Sequence, residues 1–145
     1  MTEQWIRWEP ISGLADKYEI ESISDTFDRF TVILSDLKDE EKKVKVTFEG
    51  SVDAYRAVNE SFRLKTFSEL HEKYGVDFYG WWTFFKVADS EYLKWLSEQS
   101  YGISDAYSMI HFSFFGVETV LDVLTNYEPK VELIEQDFTV KKGSR

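Results

Sequence analysis

Hydrophobic and polar positions alternate along "KVKVTF", residues 43–48. Val44, Val46 and Phe48 fall on one side, Lys43, Lys45 and Thr47 on the other. A period of two marks a strand with one wet face. "RFTVILSDL", residues 29–37, is β-branched and apolar on both faces, which predicts a more central strand. "KYEIESISD", residues 17–25, alternates less regularly, and the charged "SDLKDEEKK" reads as a hairpin loop. Three strands on short links predict an antiparallel meander.

The period then changes. In "KTFSELHEKYG" Phe67, Leu70 and Tyr74 share one helical face. Thr66 followed by Glu69 reads as a capping box, and Gly75 sits where a helix end favours positive φ. "ADSEYLKWLSEQSYG" predicts a second helix, with Ser90 as N-cap, Tyr92, Trp95 and Leu96 on its apolar side, and Gly102 as its stop. "VDAYRAVNESF", residues 52–62, fits either a helical turn or an irregular crossing. "SMIHFSFFG" returns to strand, with Ile110, Phe112 and Phe114 on one face and Met109, His111 and Ser113 on the other. "TVLDVLTNYEPKVELI" reads as two strands turning at "NYEP". Val120, Val123, Leu124 and Tyr127 also fit a helix, but the valines and Pro129 favour strand over residues 119–126. The sum is an α+β fold: an antiparallel sheet with two or three short helices against one side. Residues 1–140 read as one domain and 141–145 as a frayed tail.

"DFYGWWTFFKV", residues 77–87, holds six aromatic side chains in eleven positions. A strand between a sheet and a helix is apolar on both faces, so Phe84 and Phe85 are expected in the core. Tyr79 and Trp81, flanking Gly80, are the expected surface anchors, since Trp and Tyr are frequent binding hot spots.

Composition adds a core-forming chain of 145 residues, 43% hydrophobic and 17% aromatic, without cysteine. Disulfides and thiolate metal sites are thereby excluded. No apolar run resembles a signal peptide or a membrane span, so the reading is cytoplasmic. The net charge is −10. Between Val87 and Asp137 stand ten acidic residues and two lysines. Such a field repels nucleic acid and anionic membrane and attracts a basic partner, or serves solubility alone. "SYGISDAYS" places Tyr101, Asp105 and Tyr107 in a loop of this stretch, a natural recognition element.

Catalytic chemistry is sparse. His71-Glu72 begins a zinc-protease pattern, but residue 75 is glycine, so a second histidine is missing. No calcium loop, phosphate loop or nucleophile elbow is present. No metal or cofactor is called for. His111 reads as a packed, hydrogen-bonded histidine, with a base as the other option. Arg56, Glu60 and Arg63, beside Tyr55 and Phe62, read as an ion-pair network or as a polar pocket rim that His111 would join.

The order of features carries a resemblance. It rests on an early Trp5 with "YEIESI", then Tyr55-Arg56 with Glu60 and Arg63, Ser90 and Tyr92 with Trp95, His111, and Asp122-Val123 with Pro129. In that order the chain resembles a family of small bacterial proteins, chiefly from bacilli, encoded beside polymorphic toxins and thought to be immunity proteins. The likeness runs from residue 5 to residue 134. It implies a non-catalytic protein, monomer or dimer, that neutralises a secreted toxin domain such as a nuclease by direct binding. It carries over no functional residues. The competing reading is an enzyme or small-ligand module built around Arg56, Glu60, Arg63 and His111.

Overall fold

The computed structural model describes residues 2–135. Its strands are β1 (Gln4–Arg7), β2 (Tyr18–Asp25), β3 (Phe30–Asp36), β4 (Lys42–Phe48), β5 (Ala54–Asn59), β6 (Phe84–Ala88), β7 (Ile110–Phe115), β8 (Thr119–Thr125) and β9 (Lys130–Glu135). The helices are α1 (Leu64–Tyr74), α2 (Val76–Gly80) and α3 (Glu91–Gln99), with 3-10 turns at Glu60–Phe62 and Ile103–Ala106. The expected α+β class holds. The strands form two antiparallel sheets, in the orders β1-β6-β7-β8-β5 and β2-β3-β4-β9. The meander read from residues 17–48 is β2-β3-β4, and residues 119–134 are two strands, as the valines and Pro129 suggested. The terminal tail, 141–145, lies outside the described residues.

Strand alternation decides the layers. Phe30, Val32 and Leu34 pair across the ladder with Phe48, Val46 and Val44, forming one apolar face of the four-stranded sheet. Phe84, Phe112, Phe114, Leu121 and Val123 fall on one face of the five-stranded sheet by the same register. All of these side chains are buried, and Phe48 meets Phe112 edge-on at 5.6 Å between ring centres. The opposite face of the five-stranded sheet carries Phe85, Val87, His111, Ser113, Phe115, Val120, Asp122, Leu124 and Arg56. The helices cover that side: Phe67 of α1 packs on Phe115, Phe78 of α2 on Phe85, and Tyr92 of α3 on His111. Three layers result, with helices on one side only.

Lys17 locks the layers together. Its ammonium donates to the carbonyls of Tyr79 at 2.7 Å and Trp82 at 2.9 Å, and to that of Phe115. Three donors thus meet three carbonyls at the point where β2 begins and where α2 hands the chain to β6. Burial, partly offset by Glu19, lowers the Lys17 amine from 10.5 to about 7.

Three local expectations are corrected. The segment 52–62 contains the edge strand β5, because β8 offers it a complete ladder from Ala54 to Asn59. The Thr66–Glu69 capping box does not form. Helix α1 begins earlier, at Leu64, and the Thr66 hydroxyl accepts from Arg63 Nε at 3.2 Å instead. The aromatic segment starts with an unforeseen helical turn, α2, which follows Gly75 at φ 87°. That turn folds Tyr79 inward. Its ring is half-buried against Phe67 and Phe115, at 5.3 and 5.7 Å, so Tyr79 belongs to the core margin and is not an exposed anchor. Phe84 and Phe85 are fully buried, as expected.

Candidate functional site

Asp122 is fully buried in β8 on the helix-covered face. Neighbouring strands present their side chains to it by simple alternation. Arg56 stands opposite it on β5 and donates from Nε to Asp122 Oδ2 at 2.9 Å. Arg63, at the start of α1, donates from Nη1 to the same oxygen at 2.8 Å. His111, one diagonal step away on β7, donates from Nε2 to Oδ1 at 2.7 Å. His111 Nδ1 in turn faces Ser90 Oγ at 2.7 Å. Ser90 Oγ caps α3 by accepting from the Leu93 amide at 3.0 Å. The hydroxyl keeps one proton to donate and one lone pair to accept, so it can pair with Nδ1 in either ring state. Burial by itself would raise the Asp122 carboxyl. The interaction with His111, through its hydrogen bond above all, and the charges of Arg63 and Arg56 outweigh it and hold the group well below the usual carboxylate range.

The order Ser90–His111–Asp122 is that of a nucleophilic triad, yet the setting differs. The serine, histidine and aspartate are 3%, 1% and 0% exposed, and the serine oxygen is already the helix cap. The arrangement acts as a strut that ties β5, β7, β8, α1 and α3 to one carboxylate. Sequence reading selected Arg56, Arg63 and His111, and the fold does bring them together. It named the residue they converge on, Asp122, only within the resemblance and not as their partner, because a lone Asp in a valine-rich strand resembles any other acid until the register is known. The fourth selected residue, Glu60, stands outside the network. Its carboxylate takes the hydroxyl of neighbouring Ser61.

A different surface forms where α3 ends. Gly102 turns the chain with φ 82° and starts the 3-10 turn that ends at Tyr107; Tyr101, just before the glycine, Ile103 and Tyr107 are 98%, 66% and 57% exposed. Asp105 sits among them and accepts from Ser97 Oγ at 3.1 Å. Beside the turn lies a cleft of about 370 Å³, lined by Asp53, Leu96, Ile103, Tyr107 and Met109 among others. Tyr101, Asp105 and Tyr107 are thus all exposed on the segment between α3 and β7, and Tyr107 alone of the three lines the cleft. Trp81 is also exposed, but it stands elsewhere, on the turn before β6, with its indole N–H on Asp77 Oδ1 at 3.2 Å.

The acidic stretch does not form one patch. Asp122 is internal, Glu128 pairs with Lys86, Glu132 and Glu135 lie opposite Lys45 and Lys42 in the other sheet, and the amide of Glu118 reaches Glu19. Asp137 lies outside the described residues. What remains is Asp89 and Glu91 at the start of α3, where the Glu3 carboxylate accepts from the Glu91 amide, and Glu98 and Asp105 at and after its end. Lys94 is the one cation of α3 itself. A second acidic cleft, of about 480 Å³ and lined by Glu19, Glu21, Asp36, Glu40, Glu41 and Lys43, joins residues from β2, β3 and the start of β4. The sequence pattern did not reveal it, because its acids are spread over three segments.

Among the described residues no group of three or more His, Asp or Glu side chains is placed to hold a metal, and no helix is long and apolar enough to cross a membrane. No protein-family model, curated protein or solved structure matches this chain.

Proposed function

We propose that the chain is a non-catalytic, acidic binding protein of the immunity type, which acts in the cytoplasm and neutralises a cognate bacterial toxin domain by direct contact. The observation that carries this reading is the turn after α3. Three large apolar side chains, Tyr101, Ile103 and Tyr107, are exposed within seven residues, with Asp105 in the same turn and Asp53 lining the adjoining cleft. Exposed apolar clusters rimmed by charge mark interaction sites. A basic partner, such as the phosphate-binding site of a nuclease, is steered by the acids and held by the aromatic anchors. The family resemblance points to the same class of partner.

The runner-up reading places a ligand or reaction at Arg56, Arg63 and His111. Their convergence on Asp122 favours it. Against it stands the burial of Ser90, His111 and Asp122, whose groups are already engaged with one another.

The test is co-expression with the toxin domain encoded by the adjacent gene. Growth rescue accompanied by a purified complex is the expected result. Rescue without a complex, or hydrolytic turnover by the protein that His111→Ala abolishes, contradicts the reading.

A further inference from the structure

We infer that Arg56 anchors a second, separate site on the α3 face, one that takes an oxyanion carried on a flat apolar group, such as an aromatic carboxylate or phosphate ester. The site is independent of the turn at Tyr101–Tyr107.

Arg56 is held from two sides. Nε is fixed to Asp122 Oδ2 at 2.9 Å, and Cζ lies 4.2 Å from the centre of the Tyr92 ring. Its Nη1 and Nη2 groups have no hydrogen-bond partner among the described residues, and its side chain is 39% exposed. A guanidinium pinned through Nε and stacked on a ring has already lost the freedom that binding normally removes, and its outer edge is the fork that receives an oxyanion bidentately. Charge points the same way. Two guanidiniums share one carboxylate, so the cluster keeps at least one surplus positive charge. This occurs in a chain of net charge −10, where 27 acids compete for 17 cations, yet Arg56 faces only the internal Asp122. Glu60, four residues after Arg56 and three before Arg63, is turned to Ser61.

The ligand class follows from the neighbours. Trp95 packs beside Tyr92 at 5.6 Å and is about half exposed, which adds a flat apolar surface to the ring on which the guanidinium stacks. A free inorganic anion gains nothing from that surface and is repelled by the acidic chain as a whole. An anion on an aromatic ring gains from both.

The experiment is a titration of the 15N-labelled protein at pH 7 and constant ionic strength. The probes are benzoate, phenyl phosphate, acetate and, with the opposite charge, benzylamine. The indole N–H of Trp95 and the Nε–H of Arg56 are followed. Saturable shifts with benzoate and phenyl phosphate are expected, with acetate binding about two- to ten-fold more weakly because it lacks the ring contact. Arg56→Gln should abolish saturation, while Arg56→Lys should weaken it by losing the fork. Both variants are checked for an intact amide spectrum. Should Arg56→Gln fail to fold, benzoate against benzylamine on the wild type decides. Equal shifts with benzylamine, unchanged binding in Arg56→Gln, or no saturation with any probe overturns the inference. None of these outcomes bears on toxin binding by the Tyr101–Tyr107 turn, which is measured separately.

Discussion

His111 Nε2 donates to Asp122 Oδ1 at 2.7 Å across a diagonal of the β7–β8 ladder. The residue directly opposite Asp122 is Ser113, not His111. The diagonal lets the imidazole reach the carboxylate with one nitrogen and the cap of α3 with the other. A helix end, two adjacent strands, an edge strand and the start of α1 are thereby coupled through a single buried acid.

Removing that acid should therefore be severe. Asp122→Ala leaves Arg63, Arg56 and His111 without their common acceptor in a buried place, and a cost of about 3–5 kcal/mol is expected. Urea unfolding at pH 7 checks this. A loss below about 1 kcal/mol would mean that solvent reaches the arginines and that the strut is dispensable.

The pH dependence of stability follows from the same group. Asp122 has a folded carboxyl well below its ordinary 3.8. Its contribution is fully present above 3.8 and is lost progressively as pH falls further, because the unfolded chain takes up the proton first. Wild type should lose stability between about pH 4 and pH 2 more steeply than Asp122→Asn, which cannot titrate there. Parallel curves for the two proteins would contradict the assignment.

Lys17 gives a slope of the same sign on the alkaline side. Its folded value, lowered mainly by burial to about 7, lies below the ordinary 10.5. Between those values the unfolded chain binds more protons, so stability should rise with pH. The gain is limited because a neutral amine has two N–H groups for three carbonyls. In Lys17→Met the rise should vanish, although the variant starts less stable for want of any donor. A thermal-melt series from pH 6.5 to about 10, where tyrosine ionisation begins, checks it.

The aromatic segment divides cleanly. Phe84→Ala and Phe85→Ala each empty a fully buried ring position and should cost about 3–5 kcal/mol. Trp81→Ala, at a side chain 57% exposed, should stay within about 1 kcal/mol. Equal losses in all three variants would place Trp81 in the core.

Sequence periodicity made the strands around Val44, Val32 and Phe112 legible, because alternation in a half-buried strand is written directly in side-chain type. It did not make β5 legible. In "AYRAVN" one face is Tyr55, Ala57 and Asn59 and the other Ala54, Arg56 and Val58, so neither reads as apolar. Only pairing with β8 explains why Arg56 points at a buried acid. The capping-box pattern at Thr66 misled for a related reason. Arg63, pulled to Asp122, starts the helix earlier and takes the threonine oxygen. Tyr101, Asp105 and Tyr107 were legible as a group because a turn keeps sequence neighbours together. The acid run beyond them was not, because β8 and β9 carry its members to different faces.

The most direct test of the binding account is the kinetics of association with the purified toxin domain from the adjacent gene, measured across ionic strength. Asp105→Lys should slow association, and wild-type association should slow with salt as the Debye length shortens from about 10 Å at 0.1 M to about 3 Å at 1 M. Tyr107→Ala and Tyr101→Ala should leave association nearly unchanged and speed dissociation, since each removes an anchor that is already exposed before binding. A complex whose rates ignore both salt and all three substitutions would contradict the claim that the turn after α3 is the surface that meets the partner.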